Sequence, residues 1–238
     1  MIEAINLSKR FDSKWVLKDL NLKIKKGEFY CFLGPNGAGK TTTLKIFTGL
    51  IKPTSGRALI EGKDIFLYPT QVKKIIGYIP DFPFLYEALT VREFLEFVGE
   101  IFDIEKKVLN KRIEYYLEIF NIKDKQDFLI KELSHGTKQR VVYISNFIHT
   151  PKVLFIDEPL VGLDPYTINL VKKLLKEQTK KGVTIFMCTH ILNIAEELAD
   201  RIGILDEGRL IAQGNIDELR KLVPAQKLEE IFLKLTEK

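Results

Sequence analysis

Three short stretches of the chain carry residue types whose spacing could move a phosphoryl group. The first is Gly34-Pro35-Asn36-Gly37-Ala38-Gly39-Lys40-Thr41, a full match to the pattern G-x-x-x-x-G-K-S/T. Its glycines let consecutive backbone N–H groups turn toward phosphate oxygens, and the start of a following helix adds partial positive charge. Lys40 would reach the β- and γ-phosphates, and Thr41 would ligate Mg²⁺ through its hydroxyl. The second is Val153-Leu154-Phe155-Ile156-Asp157-Glu158, an apolar run closing on two acids just before Pro159. One carboxylate can hold a metal's water shell while the next polarises an attacking water, and phosphoryl transfer needs little beyond such positioning. The third is Leu133-Ser134-His135-Gly136-Thr137-Lys138-Gln139-Arg140. Here the Ser134 hydroxyl and the Gly136 N–H would sit at a helix start, a second anion-binding geometry. A serine there is also an ordinary N-cap. Since one chain already has a phosphate loop, a second phosphate-facing element points to sites shared between two chains.

These residues need elements to hold them. Residues 29–33, 153–156 and 183–188 are continuous apolar runs, as expected for strands buried on both faces of a parallel sheet. Each leads into a loop rich in chemistry, the usual place for sites at strand carboxyl ends. Residues 1–30 instead alternate apolar and polar positions with a turn at Gly27, and 58–64 read as a strand entering a turn, so both resemble half-exposed antiparallel strands. A helix is expected over 41–50 and another over 138–147. Between about 84 and 150 the pattern is helical, with Thr90-Val91-Arg92-Glu93 as a capping box and Phe94, Leu95, Phe97 and Val98 on one face. Phe94 and Phe97 are expected in the core. Asp164-Pro165 reads as an N-cap followed by proline at the first helical position, and Asn215 starts a late helix. Cys31 and Cys188 lie inside apolar runs and read as buried core residues, with neither a metal site nor a disulfide expected.

Together the motifs resemble the ATP-binding cassette (ABC) ATPases over essentially the whole chain. The resemblance implies an α/β fold: a P-loop NTPase parallel-sheet core, an antiparallel β subdomain and an inserted helical subdomain. The expected division of this single domain is a core of 1–83 and 151–215, a helical subdomain at about 84–150, and a C-terminal helical segment at 216–238. By resemblance, Asp157 is the Mg²⁺-associated acid and Glu158 the general base. His190 is the switch histidine at the γ-phosphate, and Thr42 adds a phosphate contact. Phe11 stacks on adenine with Val16 lining the same pocket. Ser134 and Gly136 serve the ATP of a second subunit, homologous or identical, across an interface that Leu163-Asp164 also crosses. His149, in a Thr-Pro turn, is expected to be structural.

Three positions depart from the family pattern. Asp81 stands where glutamine is usual, at the end of the loop Ile76-Gly77-Tyr78-Ile79-Pro80-Asp81, and is expected to keep a metal-linked role; a plain loop acid is the other reading. His135 replaces a glycine and Thr137 a glutamine. The aromatic cluster Phe82, Pro83, Phe84, Leu85 and Tyr86 follows, either as anchors for a short helix of a membrane subunit or as core of the helical insertion.

The implied function is an ATP-binding and ATP-hydrolysing subunit that dimerises around ATP and Mg²⁺ and powers a separately encoded membrane permease. Gly162-Leu163-Asp164-Pro165 and residues 228–236 look most like exporter ATPases of the ABC-2 type. The 238 residues carry 37 Lys and Arg against 32 Asp and Glu, but the cations are interspersed with acids, so no nucleic-acid partner is expected. No apolar run reaches the length of a membrane span and the amino terminus does not read as a signal peptide, so a cytoplasmic protein at the membrane face is expected. Two alternatives remain at this level: a soluble ABC ATPase acting on nucleic acid or ribosomes, and a phosphotransferase using the same loop.

Overall fold

A computed structural model of the chain describes residues 1–158, 160, 162–223 and 227–236. Pro159, and residues 224–226, 237 and 238 of the expected C-terminal segment, lie outside the described residues. The described chain opens with an antiparallel hairpin, β1 (Ile2–Phe11) and β2 (Lys14–Ile24). It continues through β3 (Phe29–Leu33), α1 (Lys40–Phe47), β4 (Ser55–Ile60), β5 (Lys63–Asp64), α2 (Pro69–Lys73) and β6 (Ile76–Ile79). Three helices follow: α3 (Val91–Ile101), α4 (Lys106–Ile119) and α5 (His135–Ile148). The chain then returns to the sheet with β7 (Val153–Asp157), α6 (Pro165–Lys180), β8 (Thr184–Thr189), α7 (Leu192–Leu198), β9 (Arg201–Asp206) and β10 (Arg209–Gly214). It closes with α8 (Ile216–Leu222) and α9 (Leu228–Thr236).

The strands form two sheets. The order β2-β1-β4-β5 makes an antiparallel sheet, and β10-β9-β3-β8-β7-β6 makes a second that is parallel except at β10. Alternate residues of the central strands enter two separate cores. Phe29, Cys31 and Leu33 of β3, Leu154 and Ile156 of β7, and Ile185 and Met187 of β8 pack with α3, α4 and α5. Tyr30, Phe32, Val153, Phe155, Phe186 and Cys188 face α1 and the antiparallel sheet. Both faces are covered, which is why period-two alternation is absent from these runs in the sequence. The two cysteines are buried on opposite faces of the sheet, so they cannot pair. Ring stacking fixes α1 on this platform: Phe47 lies parallel to Phe155 at 5.8 Å and edge-on to Phe186 at 5.7 Å.

Caps set several helix starts as the sequence suggests. Thr90 and Glu93 form the capping box of α3, Asp164 accepts the Thr167 amide ahead of Pro165, and Asn215 and Glu218 form a second box at α8. Two expectations fail. Ile76–Ile79, read as a loop, is strand β6 paired in parallel with β7. Its glycine disguised it: a Cβ at Gly77 would lie 2.8 Å from Asn146 Oδ1 and 2.9 Å from Leu154 Cδ1, so only glycine lets α5 approach. Phe97, expected in the core, is 38% exposed and meets Tyr86 edge-on at 5.5 Å. It falls on the outer margin of the apolar stripe of α3, where Phe94 and Leu95 take the buried positions.

Candidate active site at the carboxyl end of the parallel sheet

The register of the sheet brings the chemistry together. Leu33 pairs with Thr189 and Asp157 with Cys188, so the ends of β3, β7 and β8 are neighbours. The phosphate loop leaves β3 and enters α1. Gly34 packs so closely under Leu205 that a Cβ would lie 2.3 Å from the Leu205 carbonyl oxygen. Gly39 has φ +111° and would meet the Val16 carbonyl oxygen at 2.8 Å, so a side chain there is refused twice. Pro35, Asn36 and Gly37 form the exposed rim of the loop, and Ala38, Gly39 and Lys40 are buried beneath it. The Lys40 ammonium donates to the carbonyls of Gly34 at 2.6 Å and Pro35 at 3.1 Å, which holds it inside the curl. Thr41 and Thr42 follow in the first turn of α1, where free amides and the helix dipole favour an anion.

Asp157 is 1% exposed, and neither carboxylate oxygen has a hydrogen-bond partner in the chain. Burial, helped by the charges of Asp81 and Glu158 and opposed by the nearby Thr41 hydroxyl and the Lys40 ammonium, raises its carboxyl to about 6. A buried acid with two unbonded oxygens beside a threonine hydroxyl is the donor set a hard cation with retained waters would satisfy. Glu158 is the next residue, in a left-handed conformation with φ +44°. That turn aims it across β8: its Oε1 lies 2.8 Å from His190 Nδ1, and its Oε2 accepts from the Thr189 hydroxyl at 3.1 Å.

Asp81 lies beyond β6, exposed, with its carboxylate accepting the Phe82 amide at 2.9 Å. Its charge adds to the upward push on the Asp157 carboxyl. Phe11, 45% exposed with the Lys9 ammonium 4.7 Å above its ring, pairs across the hairpin with Lys14. Cross-strand partners share a face, and Lys14 lines, with Val16 and Gly37, a cleft beside the phosphate loop.

Ser134, Gly136 and Asp164 form a second cluster. Ser134 caps α5, accepting the Thr137 amide at 3.3 Å, and its hydroxyl lies 2.9 Å from that of Thr137. The departure at Thr137 thus gives Ser134 a local partner. Helix α5 begins at His135, earlier than expected, which places Gly136 in its first turn. The His135 ring lies 5.8 Å from the Phe82 ring, between the loop after β6 and Gly162. Arg140 bonds Asp164 at 2.7 Å, and the Thr167 hydroxyl and amide with Arg140 hold that carboxyl well below the usual range.

Sequence reasoning missed the polar residues of α5 that face inward. Asn146 accepts the Tyr78 amide of β6 at 2.7 Å, and the amide of Gln139, buried at the other end, reaches the Pro80 carbonyl at 3.5 Å. Polar side chains on an otherwise buried helix face were the available signal. His149 does take the structural place expected: its ring stacks on Phe102 at 3.9 Å and reaches the carbonyls of Ser145 and Ile76, each at 3.2 Å.

A phosphate loop, a buried acid and a Glu–His pair at neighbouring strand ends define a nucleotide hydrolase of the phosphate-loop class. The ABC transporter family model matches residues 17–161, more than half of the chain, and the chain belongs to that family. It is an ATP-binding and ATP-hydrolysing member. The bacitracin transport ATP-binding protein BcrA of Bacillus licheniformis is 38% identical over 222 residues, covering 93% of this chain and 72% of its own length. The Nod factor export ATP-binding protein I of Burkholderia lata is 37% identical over 213 residues, 90% of this chain and 70% of that protein. The probable multidrug ABC transporter ATP-binding protein YbhF of Escherichia coli is 35% identical over 240 residues, which is 99% of this chain but 41% of that protein. Among solved structures, an ATP-binding subunit of an ABC transporter superposes with TM-score 0.95 at 32% identity, covering 99% of both chains. A dimeric ATP-binding cassette in a post-hydrolysis state with ADP and Pi superposes with TM-score 0.82 at 27% identity, covering 91% of this chain and 99% of its own.

Proposed function

We propose that this chain is the ATP-hydrolysing subunit of an exporter, that two such subunits close around ATP, and that hydrolysis lets them open and so drives a separately encoded membrane permease. The observation that carries the chemistry is the orphaned, buried carboxylate of Asp157 beside the Glu158–His190 pair. Lys40 and backbone N–H groups of residues 36–42 hold the triphosphate. Thr41 and Asp157, with Asp81 beyond them, are the residues to hold Mg²⁺. When bound, that ion would offset phosphate charge and order the waters around it. Glu158 takes the proton of the attacking water, and His190 both orients Glu158 and reaches the γ-phosphate. Phe11 and Val16 receive the base. Ser134 and Gly136 face the nucleotide of the second subunit, with Asp164 at the same interface. No helix among the described residues is long and apolar enough to cross a membrane. In this reading the coupling runs through a permease partner at the cytoplasmic face. Phe84, 80% exposed and 5.9 Å from the Phe82 ring, and the exposed Tyr86–Phe97 pair supply apolar anchors for that partner and support the docking reading of this cluster. The names of the relatives speak for transport rather than for nucleic acid.

The decisive experiment compares wild type, Lys40→Ala and Glu158→Gln. Lys40→Ala should lose ATP binding or turnover, and Glu158→Gln should bind ATP yet run as an ATP-dependent dimer on size-exclusion chromatography with turnover down by about 10²–10⁴-fold. Wild-type turnover in Glu158→Gln would sink the general-base assignment.

A further inference from the structure

A cleft of about 460 Å³ adjoins the phosphate loop and is lined by Lys14, Trp15, Val16, Lys18, Gly37 and Glu207. Glu207 belongs to the turn between β9 and β10, far in sequence from the other residues that line the cleft. Three contacts wedge that turn in place. Lys18 N donates to the Gly208 carbonyl at 2.9 Å, and Gly208 N donates to the Ala38 carbonyl at 3.1 Å, which joins the turn to both β2 and the phosphate loop. Gly208 also has φ +78°, and a Cβ there would lie 2.4 Å from the Val16 carbonyl oxygen. The turn is therefore pinned one residue from Glu207, and Glu207 itself adopts φ +44°.

The cleft meets the 34–41 loop at Gly37, so it offers room for the sugar of a nucleotide whose phosphates lie on that loop. A ribose offers two vicinal hydroxyl donors, and a carboxylate held beside a nucleotide's phosphate site is a recurrent way of reading them. Lys14, Val16 and Lys18 of β2 all line the cleft. The apolar Val16 is thus flanked by two cations, which offset the repulsion between an acid and a nearby triphosphate. We propose that Glu207 is a specificity-determining residue that accepts hydrogen bonds from the ribose hydroxyls of the bound nucleotide. The proposal rests on the reading of this face as the ATP site.

The test measures the affinities of the full chain for ATP and for 2′,3′-dideoxy-ATP, in wild type, Glu207→Gln and Glu207→Ala. Trp15, the only tryptophan of the chain, lines the cleft and gives a fluorescence readout. Wild type should favour ATP by about tenfold, the effect of hydrogen bonds to a charged group. Glu207→Ala should bring the two affinities to within about twofold by weakening ATP alone, and Glu207→Gln, which preserves the shape of the turn, should fall between. An unchanged ratio in both variants, or equal weakening of both nucleotides, would overturn the assignment. So would a change confined to discrimination between ATP and ITP, which would place Glu207 at the base. Lys40→Ala separates the two levels: if wild type binds neither nucleotide any better than Lys40→Ala, the ATP site itself is misplaced. If wild type binds and only the sugar preference is missing, the ribose role alone fails.

Discussion

Asp157 shows what the chemistry costs at the scale of one residue. A carboxylate buried with neither oxygen bonded is unfavourable, and the fold tolerates it at the place where a cation would be held. In the metal-free protein this carboxyl, raised to about 6, keeps a proton that the unfolded chain has already released. Stability therefore falls as pH rises from the ordinary carboxylate range to about pH 6, and stays lowered above it. Asp157→Asn should raise Tm of the metal-free protein above that pH by roughly 2–10 °C, the equivalent of ~1–3 kcal/mol, while abolishing turnover. The gap should close at lower pH. Identical melting midpoints at neutral pH would show that the buried charge is not a burden. A second residue-scale expectation concerns Asp164, which caps α6 and holds Arg140. Asp164→Ala should lower the midpoint of urea unfolding, as the loss of an N-cap does, and an unchanged midpoint would show that the cap is dispensable.

Helix α5 ties several parts of the site together. Ser134 caps its start, its inward polar residues hold β6 and Pro80, and His149 at its end clasps Phe102 and Ile76. Gly77→Ala should push α5 off β6 and cost about 1–3 kcal/mol, as overpacking does, with the loss read as a lower urea midpoint. An unchanged midpoint would mean the helix yields without cost. The same element shows how far the sequence could be read. The phosphate loop and the acid pair were visible because their residue types and order are dictated locally by phosphate and metal chemistry. The capping boxes at Thr90 and Asn215 were visible because they involve neighbours along the chain. Strand β6 was not, because its glycine answers to Asn146, on a helix that follows it much later in the chain. Phe97 misled for a related reason: spacing assigns a side chain to a helix face, and tertiary packing decides how much of that face is covered.

For the whole molecule, the parallel sheet is a partition as well as a platform. It separates a core shared with α3, α4 and α5 from a core shared with α1 and the antiparallel sheet, and the reactive groups gather along one edge of that partition. If ATP acts by clamping the edge, both halves should become harder to open together. The cysteines allow that to be timed. Cys31 reports from one core and Cys188 from the other, each fully buried and each with its thiol pushed up by burial. Each thiol should therefore be silent to a thiol-reactive dye until its own side unlatches. The two single-cysteine variants, labelled with and without ATP, would act as separate clocks. Equal slowing of both clocks by ATP would mean that the protein breathes as one body. Slowing of Cys188 alone would mean that the nucleotide locks the half bearing the phosphate loop and leaves the helical half free to move with its partner.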